Sequence, residues 1–398
     1  MKSILKKLFD LSIWNTASAA INFFSNILIV KIFGIDVFGD LAYLGSIVGI
    51  FSLVYLIIPT NFSIIRYQED PEFKYILTAF YLISSILLLI LSLVFYQTIS
   101  IPLWLFFLYG WTTCFQSYFD ISLQAENKLQ KYFKILFLIA ILKVVLIVLY
   151  FLFVKEHSFF NLLSILVLSR LLIFLYLLFS KSNLLLKSLL YFKKTYLLIW
   201  SEKKLLSGFY LSVGLQRLSS NIIILIFQPI LGNEIIGIYA LLMKVYQFIS
   251  GLLRSIEALF VNKLTNKLYE RSFFANAFKI AFIGQLLLLA IGLIYMKYLT
   301  GEFYLIYLLV YSLLIYPYIF FIKSRAYFLL KYKNKEIIIA YILFLLIVSV
   351  NYLGFILIKE SFSLNVIVIS FISATVFQML YLIFAEKKTI ITEKNLQL

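Results

Sequence analysis

The sequence contains Gly34-Ile35-Asp36-Val37-Phe38-Gly39 and, almost half the chain later, Gly232-Asn233-Glu234-Ile235-Ile236-Gly237. The two stretches begin 198 positions apart in a chain of 398 residues, and an alanine, Ala42 or Ala240, follows each at the same distance. Each stretch joins one long apolar segment to the next. This repeat predicts that the chain is built as two similar halves with the same junction in each.

The composition indicates a membrane protein. Hydrophobic residues make up 63% of the chain and charged residues 13%, whereas soluble domains are nearer half apolar and a quarter charged. The apolar residues occur in runs of about 20, the length at which a helix crosses the bilayer core. A helix is also the element that satisfies its backbone hydrogen bonds within one segment, as lipid requires.

We therefore predict an all-α integral membrane protein with twelve transmembrane helices in two six-helix lobes related by a pseudo-two-fold axis. The predicted spans are 12–33, 36–58, 76–98, 102–123, 134–154, 159–180, 205–230, 235–256, 277–298, 303–322, 337–358 and 363–385. The N-terminal lobe would comprise residues 1–180, a cytoplasmic linker residues 181–204, and the C-terminal lobe residues 205–398.

The positive charge is distributed as in a multi-pass membrane protein. The net charge is +17, but 27 of the 35 Lys and Arg residues fall in alternate loops and the two tails. This positive-inside bias predicts that both termini are cytoplasmic, and basic loops also favour contact with anionic membrane lipids. Because the charge is divided among several short segments, the sequence does not indicate a nucleic-acid partner.

The chain offers few residues for catalysis or metal binding. It has one cysteine, Cys114, and one histidine, His157, so it can form neither an internal disulfide nor a Cys/His metal site. It has no Gly-rich Walker loop. We predict no catalytic residue, metal or cofactor. A membrane protein of two similar halves is typically a transporter with its site where the repeats meet.

Four basic residues lie near the midpoints of predicted spans: Lys143, Arg170, Arg217 and Lys244. Ionisable groups at this depth are costly and usually face a functional cavity. The acid nearest to this depth, Asp120, is close to the end of its span. Buried cations without acids favour an anionic substrate such as a phosphate. The alternative is structural: Lys143 could snorkel and Arg170 could bind carbonyl groups of another helix.

Polar side chains follow helical spacing in three of the spans. One face of span 1 carries Asn15, Ser18, Asn22 and Asn26; span 7 carries Gln216, Arg217, Ser220 and Asn221; span 8 carries Lys244 and Gln247. Amides are unfavourable in hydrocarbon, so these faces should point inward, where they could bind sugar hydroxyls. The alternative is that they hydrogen-bond neighbouring helices together.

Four stretches resemble bacterial polysaccharide flippases. They are Ile27–Gly34, Asp36–Ala42, the arginine-containing Phe62–Tyr67, and Gly232–Tyr239, which ends in Ile-Gly-Ile-Tyr. The twelve-span layout is similar as well. By this resemblance the chain is identified as a member of the oligosaccharide flippase branch of the multidrug/oligosaccharidyl-lipid/polysaccharide exporter superfamily.

The resemblance implies a V-shaped fold and a function at the bacterial inner membrane. The implied substrate is an undecaprenyl-pyrophosphate-linked oligosaccharide repeat unit of O-antigen or capsule, flipped to the periplasmic leaflet. A polysaccharide polymerase and a chain-length regulator are the implied protein partners. Lys31, Arg66 and Lys244 match positions of the family's motifs and are implied to bind substrate. One departure concerns Asn221, near which many relatives carry an aspartate, so the mode of ion coupling is open.

Other functions remain alternatives. A multidrug antiporter of the same superfamily should bury acids that exchange cations, whereas this sequence buries bases. A membrane polysaccharide polymerase or glycosyltransferase generally needs a large outside loop or a cluster of catalytic acids. A peptidoglycan-lipid flippase usually has two further spans, and its loss would abolish viability rather than surface polysaccharide.

Overall fold

The computed structural model describes residues 2–58, 60–95, 101–126, 128–154, 156–180, 182–265, 271–330, 334–358 and 363–395. Throughout these ranges the regular secondary structure is helical, with no strand. The all-α class predicted from composition is confirmed. Nine apolar helical stretches within the described ranges are long enough to cross a membrane, so the chain is a multi-pass membrane protein.

Within the described residues, the first half of the chain forms nine α-helices. They are α1 (Lys2–Phe33), α2 (Ile35–Phe51), α3 (Thr60–Glu69), α4 (Phe73–Phe95), α5 (Leu103–Ala125), α6 (Leu129–Phe153), α7 (Phe159–Ser180), α8 (Ser182–Ser188) and α9 (Phe192–Ser201). Two short 3-10 segments accompany them, Ser52–Leu56 after α2 and Leu189–Tyr191 between α8 and α9.

Within the described residues, the second half forms six helical elements. They are α10 (Lys203–Thr265), α11 (Arg271–Thr300), α12 (Leu305–Leu313), α13 (Ile315–Leu330), α14 (Asn334–Ile358) and α15 (Leu364–Asn395). The long α10 is two helices in sequence, because Gly232 within it has non-helical dihedral angles.

The repeated junction predicted from the sequence adopts the same backbone in both copies. Gly34, between α1 and α2, has φ 94° and ψ 163°, and Gly232 has φ 77° and ψ 175°. Only glycine adopts this region readily, because a Cβ atom would clash with the backbone. The two glycines therefore turn the chain from one apolar helix into the next in the same way.

The chain divides into two compact units. The first contains Leu44–Arg217 together with the residues up to Val37, and the second contains Phe38–Tyr43 and Leu218–Leu398. The division at Arg217 differs from the predicted linker at 181–204. That segment is largely helical, as α8, a 3-10 turn and α9, and it packs on α4 within the first unit.

The core of the first unit is rich in aromatic side chains. Tyr55, Tyr81 and Tyr118 are buried, and their rings follow one another at centroid distances of 6.1 and 5.4 Å. The hydroxyl groups of Tyr118 and Thr78 lie 2.9 Å apart in a hydrogen bond. Large apolar rings fill the space among α4, α5 and the segment after α2, which holds the polar positions of this unit in fixed places.

The second unit contains a close backbone contact between the two copies of the repeat. Gly39, in the stretch Phe38–Tyr43 that belongs to this unit, is buried, and a Cβ atom built on it would lie 1.9 Å from the backbone oxygen of Asn233. A contact this short leaves no room for any side chain. The second glycine of the first copy is thus required by packing, whereas Gly34 is required by its φ angle.

Several predicted spans differ from the helices observed. The span at 303–322 is divided into α12 and α13 at Leu314, and the span at 36–58 ends as the 3-10 segment Ser52–Leu56. The spans at 205–230 and 235–256, by contrast, correspond to the two helices that meet at Gly232 within α10. The total of twelve transmembrane helices stays a prediction.

Candidate functional site

Two of the predicted site residues meet in the first unit, at the packed pair α1 and α6. The Lys143 ammonium donates a hydrogen bond of 2.6 Å to the Asn22 side-chain oxygen. The Asn22 amide in turn donates to the backbone oxygen of Ser18, 3.0 Å away. Asn22 is exposed and Lys143 is half-buried. A lysine and an amide in mid-span, each reachable from outside the protein, can together bind an anion or a hydroxyl group.

Arg170 lies on α7 and contacts α5. Its Nη1 atom donates to the Thr113 hydroxyl at 3.3 Å, and its guanidinium lies 5.3 Å from the centre of the Tyr109 ring. Both partners are neutral. A guanidinium has five N–H donors and the bond to Thr113 uses one, so Arg170 keeps a positive charge and donors with which a phosphate could pair.

Arg217 and Gln216 lie on α10, at the end of the first unit. Arg217 is exposed, and it interacts electrostatically with Tyr55 on the 3-10 segment after α2. Gln216 is half-buried, one residue before it. The charge of Arg217 thus acts on a phenol of its own unit.

The polar residues of the second unit lie on α10 beyond the unit boundary. Lys244 is exposed, and its ammonium donates to the Gln247 side-chain oxygen at 3.5 Å, across one helical turn. Asn221 donates to the Ser220 hydroxyl at 3.2 Å. Lys244 and Gln247 therefore lie on one face of α10, and the two hydrogen bonds described here join neutral groups to Lys244 and to Asn221.

The remaining predicted residues are more dispersed. Lys31 is exposed in the last turn of α1, and Asn26, five residues before it, is half-buried. Arg66 lies in the last turn of α3, where it pairs with Glu202 at 2.9 Å and approaches Glu69 at 3.8 Å. The Asn15 side chain lies outside the described residues.

Described ion pairs concentrate at or beyond the ends of the predicted spans. They are Arg66–Glu202 at 2.9 Å, Lys128–Glu126 at 2.8 Å, Lys194–Glu72 at 2.8 Å and Lys323–Glu386 at 2.9 Å. In the Lys194–Glu72 pair the hydrogen bond holds the pKa of Glu72 below its ordinary value and that of Lys194 above it. These carboxylates are engaged at or beyond the ends of the predicted spans, whereas the hydrogen bonds described above for Arg170 and Lys244 in mid-span are with neutral groups.

Sequence reasoning missed the neutral partners of the cations. Thr113 and Tyr109 on α5 contact Arg170, and Tyr55 interacts with Arg217. Tyr109 and Thr113 are spaced i, i+4 in an apolar span, a pattern that could have marked a polar face. Among the described residues, no group of three or more His, Cys, Asp or Glu side chains could hold a metal ion.

Comparison with solved structures identifies the fold. One similar structure is the outward-facing conformation of a multidrug resistance MATE family transporter of the MOP superfamily, with a TM-score of 0.56, 14% sequence identity, and coverage of 97% of this chain and 96% of that one. A MATE in the bent conformation has a TM-score of 0.51 and 14% identity, with coverage of 97% and 93%. No protein-family model matches the sequence, and no curated protein is significantly similar to it. The chain therefore has the fold of the MATE transporters of the MOP superfamily, over almost its whole length.

Proposed function

We propose that this chain is a flippase that moves an undecaprenyl-pyrophosphate-linked oligosaccharide repeat unit, of O-antigen or capsule, across the bacterial inner membrane by alternating access. The fold supports a transporter rather than an enzyme. The observation that carries the choice of substrate is the separation of charges. Mid-span Arg170 and Lys244 contact neutral hydrogen-bonding groups, while the described ion pairs lie at the span ends.

The cost of placing a positive charge within the membrane favours an anionic substrate. A cation at mid-membrane depth is costly, and a neutral hydrogen-bond partner offsets that cost only in part. A ligand phosphate would supply the opposite charge and accept several charge-assisted hydrogen bonds. In this proposal Arg217 and Lys244 bind the pyrophosphate, with Lys143 and Arg170 as further cations.

The neutral polar groups suit the carbohydrate. Asn22 beside Lys143 and Asn221 beside Ser220 offer amide and hydroxyl groups that can both donate to and accept from sugar hydroxyls. The polyprenyl tail has no polar group and would remain in the surrounding lipid. With the sugar and pyrophosphate bound by the protein and the tail left in lipid, the carrier can move the charged head group while the hydrocarbon stays in the bilayer.

A multidrug antiporter of the same superfamily is the second candidate, and the comparisons favour it, because the similar structures carry the MATE name and one is called a multidrug resistance transporter. Such an exchanger needs an acid within the membrane that can bind a proton or metal cation. Asp120 on α5 is a half-buried candidate, and it accepts a hydrogen bond from Gln124. The two candidates thus assign the chemistry to different residues: bases for the flippase, Asp120 for the antiporter.

The experiment separates these roles by complementation of a flippase-deficient bacterium. We expect Arg217→Ala or Lys244→Ala to abolish surface polysaccharide while the protein remains in the membrane, and Lys388→Gln, at an exposed lysine near the end of α15, to leave it unchanged. Normal polysaccharide in both site variants would contradict the proposal. Loss of resistance to lipophilic cations in Asp120→Asn, with polysaccharide unaffected, would establish the antiporter instead.

A further inference from the structure

The segment between α7 and α10 has one face fixed to the first unit. It consists of α8, the 3-10 turn Leu189–Tyr191 and α9. Ser188 and Thr195 are fully buried, and the Thr195 hydroxyl donates to the backbone oxygen of Ile76 on α4 at 3.2 Å. The Tyr191 ring stacks on Tyr75 with centroids 5.1 Å apart. These contacts attach the segment along its length, so its opposite face has a defined direction.

Two ion pairs strengthen this attachment. Lys194 on α9 pairs with Glu72 just before α4 at 2.8 Å. Glu202, between α9 and α10, accepts from Arg66 on α3 at 2.9 Å. Both carboxylates are thereby turned toward the first unit. Glu202 is the only acid in residues 181–204, so the outward face of the segment carries none.

The outward face combines large apolar side chains with lysines. Leu190 is 82% exposed and Trp200 is 60% exposed. A single exposed apolar residue is common on protein surfaces, but a group of them on one face indicates an interaction surface. The other members of this face are Leu186, Leu189, Tyr196 and Leu197 among apolar and aromatic residues, and Lys187, Lys193, Lys203 and Lys204 among basic ones. The Lys203 ammonium lies 4.1 Å from the centre of the Trp200 ring.

The position of the segment restricts what can cover this face. It is continuous at both ends with membrane-spanning helices, so it cannot leave the bilayer surface. In the last turns of α7, Tyr176 and Phe179 are also highly exposed, as expected of side chains in contact with lipid. Trp and Tyr favour the level of the lipid head groups, and lysines there extend their ammonium groups to the phosphates.

We propose that this face, Leu186 to Lys204, lies in the head-group region of the adjacent leaflet and binds anionic phospholipids. The apolar side chains enter the boundary of the acyl chains, and Lys187, Lys193, Lys203 and Lys204 pair with lipid phosphates. Lys194 is not part of the set, because Glu72 already binds it. This binding surface does not depend on which substrate the protein carries.

A spin label on the full-length protein in vesicles tests the proposal. Cys114 is buried, so a cysteine introduced at Leu190 can be labelled selectively. Collision of the label with oxygen, which dissolves in the membrane, and with a nickel chelate, which stays in water, reports its depth. Leu93→Cys on the lipid-exposed part of α4 is the control for the membrane, and Lys388→Cys is the control for water.

We expect the Leu190 label to report a depth between the two controls, and to move deeper when phosphatidylglycerol replaces part of the phosphatidylcholine. In a second protein with Lys187, Lys193, Lys203 and Lys204 all replaced by glutamine, this dependence on anionic lipid should disappear. Accessibility equal to that of Lys388→Cys in both kinds of vesicle would overturn the proposal and indicate a surface for a soluble protein partner. The same depth in both kinds of vesicle, unchanged by the glutamines, would also overturn it, since head-group charge would then play no part.

A labelled cysteine at Leu186 guards against a local disturbance at Leu190. Leu186 lies one turn earlier on the same outward face, and it is exposed in the same way. Like the Leu190 label, the Leu186 label should report a depth between those of the membrane control and the water control. Agreement of the two labels with the water control would reject the proposal, whatever the effect of either cysteine on folding of the turn.

Discussion

The two copies of the junction share a backbone and differ in side chains. At Gly34 and Gly232 the φ and ψ angles agree within about 20°, and the third residue of each copy, Asp36 or Glu234, is an exposed acid. Twelve residues after each first glycine the copies diverge: Ser46 is buried, whereas Lys244 is exposed. The repeat determines how the chain turns, but it does not determine which residues carry the charge.

The same divergence holds along the helices before the junctions. Asn22 in the first copy corresponds to Ser220 in the second under the 198-residue offset. Asn22 accepts from Lys143, while Ser220 accepts from Asn221. The donors to these equivalent residues therefore differ: a lysine of α6 in the first unit and the neighbouring amide of α10 in the second. Each half supplies its own chemistry on a common backbone.

Exchanging the residues at the equivalent positions should give the largest effect. Ser46→Lys places a charge in a site that is 3% exposed, and we expect it to lower the free energy of unfolding by roughly 3–5 kcal/mol. Lys244→Ser removes a costly mid-span charge at an exposed site, so we expect it to leave that free energy unchanged or to raise it while reducing function. Thermal unfolding in detergent measures both. Equal tolerance of the two exchanges would mean that the copies had not diverged as described.

Gly39→Ala tests the contact between the copies. The new Cβ atom would meet the backbone oxygen of Asn233, which cannot rotate away as a side chain can, so we expect a loss of roughly 3 kcal/mol of stability. Its matched control is Gly110→Ala on α5, where nothing lies within 4 Å of the added atom. The fraction of each protein that elutes as a single monodisperse species gives the result. A Gly39→Ala protein as stable as the control would disprove the close approach.

Replacing either junction glycine by alanine should give the smallest loss of stability of the three tests, and the loss should be the same at both glycines. The positive φ angles of Gly34 and Gly232 predict a cost of about 1–3 kcal/mol for each substitution. Gly354→Ala on α14, a helical position with open space, should be neutral or slightly stabilising. Unfolding midpoints of the three variants provide the comparison. If only one junction variant were destabilised, the repeat would be a similarity of sequence without a shared conformation.

Much of the fold follows from local patterns in the sequence. The glycine junction was predicted because a six-residue pattern recurred, and the helices because apolar runs of spanning length have no other way to satisfy their backbone in lipid. The contact of Lys143 with Asn22 joins two residues that were each identified as candidates, although their pairing depends on the packing of α1 against α6. Spacing along one helix cannot reveal a partner on another.

The departures from the sequence prediction have physical causes. The linker at 181–204 stays a prediction, and its basic composition did not reveal that the buried Ser188 and Thr195 fix one face of this segment. The break at Leu314 in the 303–322 span could not be predicted from composition, because the residues on both sides of it are apolar. The sequence did not reveal the residues that interact with the cations, because a neutral side chain in an apolar span gives no sign of such an interaction. These residues are Tyr109, Thr113 and Tyr55.

Translocation by the purified protein in vesicles tests the central claim most directly. A labelled undecaprenyl-pyrophosphate oligosaccharide is placed in one leaflet, and its arrival in the other is followed with a membrane-impermeant glycosidase. We expect movement that Lys244→Gln slows by about tenfold or more, because one charge-assisted hydrogen bond to the pyrophosphate is lost. Lipophilic cations should be neither transported nor inhibitory. Gradient-driven export of such cations, with no movement of the glycolipid, would contradict the account.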